Sequence, residues 1–434
     1  MSKKLLQKYF FLFLTMAGLA FQSTAQTNRQ LSLEDAVAYA LEHNKTLQNA
    51  HLSMDESQAQ LMETIAQGLP QVNASIDYSN FFGSTASLGP GFDIEFTPTS
   101  NLGISVSQLI FNGNYIVGIQ MSKLYREMVK TNAEKTELEL IANVKRAYFL
   151  GLVTLKSREF LEANVENMDD LLQKTKALVS VGIAEQVDYD QLSVQYIMLK
   201  DVKSAMDRQV EMSLNMLRMH MGLSGDVEIE LTDSFESIMS ISDIGTSLTK
   251  NFDLSQNIDY QIMALQTQMG EKQVSMERAS NLPTLTGFYS FTEKLLKPEF
   301  DLTPPHVIGL NLSIPIFSSG ARYAKLKQAQ INLDITRNQA DLVAQQLNIQ
   351  EKQLRFNMKN ALEQYESQKA NLEVARRVFE NINNKFRQGT ISSLDLTTAN
   401  NNFLQAESSY ISAVFQLLES QLELDMLISN YQTR

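Results

Sequence analysis

The 434-residue chain has a net charge of −12 and contains no cysteine. Disulfides, thiolate metal sites and a cysteine nucleophile are therefore excluded, as is an N-terminal lipid on cysteine. The negative charge argues against a nucleic-acid partner, because nucleic-acid-binding surfaces are basic. No apolar run beyond the N-terminal region is long enough for a membrane helix, so any membrane contact must be made by strands.

The N-terminal segment 1–25 has the pattern of a cleaved secretory signal. A lysine-rich start precedes an apolar run over residues 9–20, and small residues follow at Ser23 and Ala25. The apolar run is shorter than the roughly 20 residues of a membrane-spanning helix, so we interpret it as a signal rather than an anchor. The mature chain is expected to leave the cytoplasm.

The rest of the chain contains an internal duplication of roughly 200 residues, since several landmarks recur in the same order. The paired landmarks are Pro70 with Pro283, Phe111 with Phe317, Gly182 with Gly389, and Asp188 with Asp395. We therefore predict a first repeat over 26–225, an equatorial inter-repeat segment over 226–254 and a second repeat over 255–434. Each repeat reads as a helix, two strands, a long helix, a break and a further helix.

Alternating polar and apolar residues predict the strands. They are expected at about 71–82, 101–111, 284–295 and 306–316. In the first strand, Val72 and Ile76 alternate with Asn73 and Ser75. Each strand is about 10 residues long, which suits a tilted membrane-spanning strand. A half-buried soluble sheet would give the same alternation.

The helical segments favour the membrane interpretation. The chain runs from Gly320 to Gln388 without glycine or proline, and roughly 68 helical residues make a rod of roughly 100 Å, longer than any single globular domain. Apolar residues recur every three or four positions, as in heptad packing. This seam includes Leu354, Met358, Ala361, Leu372, Phe379, Ala399, Phe403, Ala406, Leu417, Leu424 and Leu427.

Four membrane strands are too few to close a barrel. Bacterial barrels begin near 8 strands, and an open sheet edge in lipid would leave backbone groups unpaired. Chains must therefore share one barrel. Two, three or four copies would each satisfy this requirement.

The order of the short motifs resembles the TolC-like outer-membrane efflux proteins of Gram-negative bacteria. These motifs are GLP before the first strand, QLIFNGN and IPIFSSG at the strand-to-helix turns, and the paired G-x5-D breaks. The resemblance covers nearly the whole mature chain. It implies a mixed α and β fold, in which a trimeric twelve-stranded transmembrane β-barrel continues into a long periplasmic α-helical barrel.

The resemblance also implies a function, a passive exit duct of a tripartite efflux pump or a type I secretion system. It implies a homotrimer in outer-membrane lipid, a periplasmic adaptor protein and an inner-membrane pump as partners, and no cofactor, metal or catalytic residue. The alternative is a soluble periplasmic coiled-coil adaptor or structural protein.

By position, the resemblance places two sets of functional residues at the breaks. The tip residues, implied to contact the adaptor, are Val181, Gly182, Ile183, Ala184, Gln388, Gly389, Thr390 and Ile391. The aperture residues are Asp395, Asp188, Thr398, Phe386, Arg387 and Ile391. Three copies of Asp395 around one axis would favour cations.

The chain departs from the polar latch found in some family members. Those members carry a tyrosine three residues before the second glycine and an arginine two residues after it, where this chain has Phe386 and Ile391. Asp188 is therefore expected to lack both latch partners, and Thr398 replaces a second ring acid. We expect closure by apolar packing, or by Arg387 in place of the missing arginine.

One helical segment is rich in methionine. The sequence EMSLNMLRMHMG places Met212, Met216 and Met219 on one stripe beside His220 and Met221. Thioethers at this spacing suit a soft-metal relay, but methionine more often fills a core. We therefore interpret the stripe as core packing.

Overall fold

The structure is a computed structural model. It describes residues 29–87, 89, 93–241, 244–297 and 303–428, so the predicted signal segment lies outside the described residues. The chain divides into two compact units. Of the described residues, the helical unit comprises those up to Lys45 and those within Glu137–Asn251 and Gln353–Leu427, and the sheet unit comprises those within Thr46–Thr136 and Phe252–Lys352.

The described elements follow the predicted order in each repeat. In chain order they are β1 (Arg29–Leu31), α1 (Leu33–His43), α2 (Lys45–Ala66), β2 (Gln71–Ser79), β3 (Thr85–Ser87), β4 (Asp93–Glu95), β5 (Thr99–Phe111), α3 (Gly113–Ser180), α4 (Gln186–Met221), β6 (Ile229–Leu231), α5 (Phe235–Ile241), α6 (Ile244–Thr249), α7 (Ile258–Ala279), β7 (Thr284–Leu296), β8 (His306–Ser313), α8 (Ala321–Arg387) and α9 (Ser393–Ile428). No helix among these residues has the length and apolar character needed to cross a bilayer.

The sheet unit is built on one antiparallel sheet with the order β2-β5-β7-β8. Two of its strands are shorter than predicted. The first ends at Ser79 because a turn follows, in which Phe82 has a positive φ of 51° and its amide donates to Asn80 Oδ1. The last ends at Ser313, two residues before Pro315, which has no amide hydrogen to donate to a ladder.

The sheet has one apolar and one polar face, because side chains of directly paired residues point to the same side. The apolar face carries Val72, Ala74, Ile76, Leu102, Ile104, Val106, Tyr289, Phe291, Ile308, Leu310 and Leu312. The opposite face is mostly polar and also holds Phe288 and Val307; its polar residues are Asn73, Ser75, Asp77, Asn101, Ser105, Ser107, Ser290, Thr292 and Asn311. Much of the apolar face is exposed among the described residues, and Ile308 is 84% exposed. An exposed apolar sheet face is suited to lipid and not to water.

The helical unit buries the predicted seam. Leu354, Met358, Ala361, Phe379 and Phe403 are all buried, which confirms the apolar spacing predicted along α8 and α9. Burial of this stripe, rather than helix propensity, supplies most of the stability of such helices.

The inter-repeat segment is attached to the start of the described chain. Strands β1 and β6 pair in parallel, and the hydroxyl of the fully buried Tyr148 lies 2.7 Å from Asp233 Oδ2 and 3.0 Å from the Leu31 carbonyl oxygen. The Leu33 amide also donates to Asp233. Burial, reinforced by the Asp233 carboxylate, raises the pKa of Tyr148 far above its ordinary value, so this residue stays a neutral donor.

Candidate functional site: the paired hairpin tips

Both breaks end their long helices in the same way. Gly182 and Gly389 have φ values of 75° and 70°, in the left-handed region that favours glycine. In the first break, the Gly182 amide donates to the Val179 carbonyl, and the Ile183 amide donates to that of Leu178. In the second break, the Gly389 amide likewise donates to the carbonyl three residues earlier, and the Thr390 amide donates to the carbonyl five residues earlier. Both breaks therefore have the Schellman arrangement.

A reciprocal cap starts the next helix at each break. In α9, the Asp395 amide donates to Ser392 Oγ at 3.2 Å, and the Ser392 hydroxyl donates to Asp395 Oδ2 at 2.8 Å. In α4, the Glu185 amide donates to Asp188 Oδ2 at 3.3 Å. Both acids therefore lie in a first helical turn, where the helix dipole stabilises a negative charge.

A polar contact joins the two hairpins. The hydroxyl of Ser393, which is only 3% exposed, donates to Asp188 Oδ1 at 2.5 Å. Its oxygen also lies 2.9 Å from the side-chain amide of Gln191. A hydroxyl has one proton, so with Asp188 as acceptor the Gln191 amide must present its NH₂ group. We call Ser393, Asp188 and Gln191 the tip bridge.

The tip bridge is the feature that the sequence did not predict. Asp188 has no tyrosine or arginine partner of the latch type, but it has Ser393 instead. Ser393 does not cap its helix, because Ser392 takes that role. The sequence signal that could have indicated this contact is the serine pair itself. Only one of two adjacent serines is needed to cap a helix, so the other is available for a different contact.

The remaining aperture residues have different partners. Arg387 lies 3.5 Å from Asp170, and among the described residues it contacts neither Asp188 nor Asp395. Phe386 packs against the apolar core below the tips, in which the Phe379 and Phe403 rings stack at 5.4 Å. Among the described residues, apolar packing, the tip bridge and the Arg387–Asp170 ion pair thus join the two hairpins at the tip.

The outer surface of the tips is apolar in the first break, whereas in the second break the exposed residues 388–390 are not apolar. Val181 and Ile183 are exposed, Ile183 by 73%, and Leu394 is also exposed at the start of α9. Exposed apolar residues grouped at one end of a helical bundle mark a surface for a partner.

A buried acid lies farther up the bundle. Glu407 on α9 is 5% exposed and accepts a hydrogen bond from Asn164 Nδ2 on α3 at 3.0 Å. Burial raises the pKa of Glu407 to about 7, although Asn164 and the nearby Arg376 oppose the shift. Desolvation therefore exceeds the stabilisation that these two groups give to the charged form.

The methionine stripe is not core packing. Met212, Met216 and Met219 are exposed, with Met212 at 66%, whereas Met221 is fully buried. The interpretation as core was wrong for the three exposed residues because they face away from the helices that bury Leu214 and Leu217. No group of three or more histidines or acids within the described chain could hold a metal ion.

An amphipathic sheet and two duplicated helical hairpins together define a class of membrane protein that spans lipid with strands and extends helices beyond it. The outer membrane efflux protein family model matches residues 36–223 and 253–430, and the chain belongs to this family. The predicted family, fold class and outer-membrane exit duct, with its helical part in the periplasm, are confirmed, and the soluble adaptor is not supported.

Individual relatives agree with this assignment. The chain is 21% identical to outer membrane protein TolC of Salmonella enteritidis, over 94% of this chain and 84% of the relative. Its fold matches a solved structure of CusC with a TM-score of 0.76 and 15% identity, over 95% of both chains. It also matches the CmeC outer membrane channel of Campylobacter jejuni with a TM-score of 0.74 and 19% identity, over 91% of this chain and 85% of that one.

Proposed function

We propose that three copies of this chain form one outer-membrane exit duct, in which four strands from each copy close a twelve-stranded barrel. The open sheet carries the part of this proposal that copies share one barrel, and the number three rests on membership of the outer membrane efflux family. Strands β2 and β8 are its edges, and each has only one neighbour among the described strands. In lipid an unpaired edge is strongly unfavourable, so β2 of one copy must pair with β8 of the next.

The surface of α8 supports the same assembly. Ile335, Leu342, Ile349 and Phe356 are exposed and recur every seven residues along this helix. A heptad repeat of apolar residues is the pattern by which helices pack side by side. We assign this seam to contact with a neighbouring copy in the periplasmic helical barrel.

We propose that the tip residues dock a periplasmic adaptor, which connects the duct to an inner-membrane pump. The exposed Val181 and Ile183 provide an apolar contact surface, and Asp188 and Asp395 provide charge beside it. The duct serves efflux or type I secretion as a passive conduit and catalyses no reaction. Its mature form comprises the repeats 26–225 and 255–434 joined by 226–254, after removal of 1–25.

The proposed assembly is tested by the mass of the extracted protein and by its partition between detergent and the aqueous phase. The protein extracted from membranes is expected to be a detergent-dependent trimer that conducts ions in planar bilayers. A protein that stays monomeric in detergent, or that partitions into the aqueous phase without a membrane fraction, would contradict the proposal.

Neutralising Asp395 is expected to reduce cation preference. Asp395→Asn removes one charge per chain at the proposed aperture while keeping an oxygen that can accept from Ser392, so the helix cap is retained. The cation-to-anion permeability ratio should fall by about a factor of two or more, measured as the reversal potential in a salt gradient. Asp201→Asn, an exposed acid on α4 away from the tip, is the control. An unchanged reversal potential would remove Asp395 from the aperture.

A further inference from the structure

Four buried polar atoms near the hairpin tips have no hydrogen-bond partner in the described part of the chain. They are Thr175 Oγ1, Asn383 Oδ1, Thr397 Oγ1 and Asn400 Nδ2. Thr175 and Asn383 lie within the last two turns of α3 and α8, and Thr397 and Asn400 lie within the first turns of α9. At 1.5 Å per residue, all four lie within about 12 Å of the tips, and we call them the polar layer.

The hydroxyls of the two threonines lack a hydrogen bond that other helical threonines of this chain make. Thr131, Thr154 and Thr398 each donate to the carbonyl oxygen four residues earlier, at 2.8 to 3.0 Å. Thr175 and Thr397 also have a helical residue four positions earlier, but their hydroxyls make no hydrogen bond to its carbonyl oxygen. A helical threonine populates two side-chain rotamers. We infer that packing holds these two side chains in the rotamer whose hydroxyl does not reach the carbonyl oxygen of the preceding turn.

We attribute this constraint to the apolar core formed by neighbouring residues. Leu171, Leu172, Leu396 and Ala399 flank the two threonines in sequence, and all are buried in the apolar core that the two hairpins form together. A buried hydroxyl without a partner is destabilising, and it stays so while the hairpins remain packed. When the hairpins separate, the side chain gains room to rotate and can bond to its own helix.

We propose that the polar layer favours opening of the tips, because its unmet hydrogen bonds destabilise the packed state and are satisfied when the hairpins move apart. This inference rests on the proposed function, in which the tips narrow the duct. The four residues are positioning residues, since they act through hairpin packing and need not touch the cargo. The layer opposes the tip bridge, which favours the packed state.

The double variant Thr175→Val/Thr397→Val tests the proposal. Valine keeps the shape of threonine and removes the hydroxyl, so the packed state should become more stable and the open probability in planar bilayers should fall by about tenfold or more. The control is Thr136→Val, because Thr136 lies on the same helix as Thr175 but away from the tips, and its hydroxyl already donates to the Asn132 carbonyl oxygen at 3.0 Å. Melting temperature is measured on the same samples.

The expected result is a lower open probability and an equal or higher melting temperature in the double variant, with an unchanged open probability in Thr136→Val. An open probability of the double variant equal to or above that of the wild type would overturn the inference, as would a lower melting temperature. A fall in open probability of the same size in Thr136→Val would also overturn it. Absence of conductance in the wild-type protein would instead overturn the proposed function, and with it any role of the polar layer in opening.

Discussion

Replacing Glu407 by glutamine is expected to stabilise the helical unit by about 2–3 kcal/mol at about pH 8. Glu407 is almost completely buried, and Asn164 supplies its one hydrogen-bond donor. Ionising a carboxyl group in such surroundings is unfavourable, and this is why its pKa rises to about 7. Glutamine has nearly the same shape, can accept from Asn164, and never carries the charge.

The direction of the pH dependence follows from the raised pKa. Because folded Glu407 holds its proton up to about pH 7, whereas the unfolded residue loses it near 4.5, the folded state binds more protons between these values. Its contribution to stability is complete below the unfolded pKa and is lost as pH rises through the folded pKa. Acidification across this window therefore stabilises the wild-type bundle, and glutamine abolishes that contribution.

Thermal melting of the helical circular-dichroism signal provides the measurement. The melting temperatures of wild type and Glu407→Gln should differ little at about pH 5, and the variant should melt at a clearly higher temperature at about pH 8. The control is Glu380→Gln, which changes an exposed acid on α8. The difference between its melting temperature and that of the wild type should not grow from about pH 5 to about pH 8. A difference that stays constant across pH would show that Glu407 does not titrate in this window.

The sequence predicted the repeated elements well because periodicity is a local signal. Polar and apolar residues alternate from Val72 to Tyr78 because successive side chains of a strand point to opposite faces. Apolar residues recur every three or four positions from Leu354 to Phe379 because such positions share one face of a helix. Glu407 could also have been found in this way. It lies four residues after the buried Phe403, on the stripe that packs inward, where an acid is unusual.

The contacts between helices could not be predicted in the same way. Whether Met212 and Met216 face a core or the outside depends on how α4 is rotated relative to its neighbours, and an apolar stripe does not specify its partner. The bridge from Ser393 to Asp188 joins residues 205 positions apart, on two helices whose register is set by packing. The positive φ at Gly182, by contrast, depends on a few neighbouring residues, because a glycine that follows a long helix commonly adopts it.

Replacing Ser393 by alanine is expected to loosen the tips and raise the open probability of the channel by on the order of tenfold. The Ser393 hydroxyl is buried and donates to a carboxylate, and hydrogen bonds to charged groups contribute about 1.5–3 kcal/mol. The bond joins the start of α9 to the start of α4, so its loss weakens contact between the hairpins rather than within one helix.

The adjacent residue provides a matched control. Ser392→Ala removes a hydroxyl that only caps its own helix, through Asp395, and should reduce helix stability by about 1 kcal/mol without changing the open probability. Single-channel recording of both variants separates the two roles. If both raise the open probability equally, the effect comes from fraying of α9 and not from the bridge. If Ser393→Ala alone does so, closure in this chain uses a serine–carboxylate contact at the position where other family members use tyrosine and arginine.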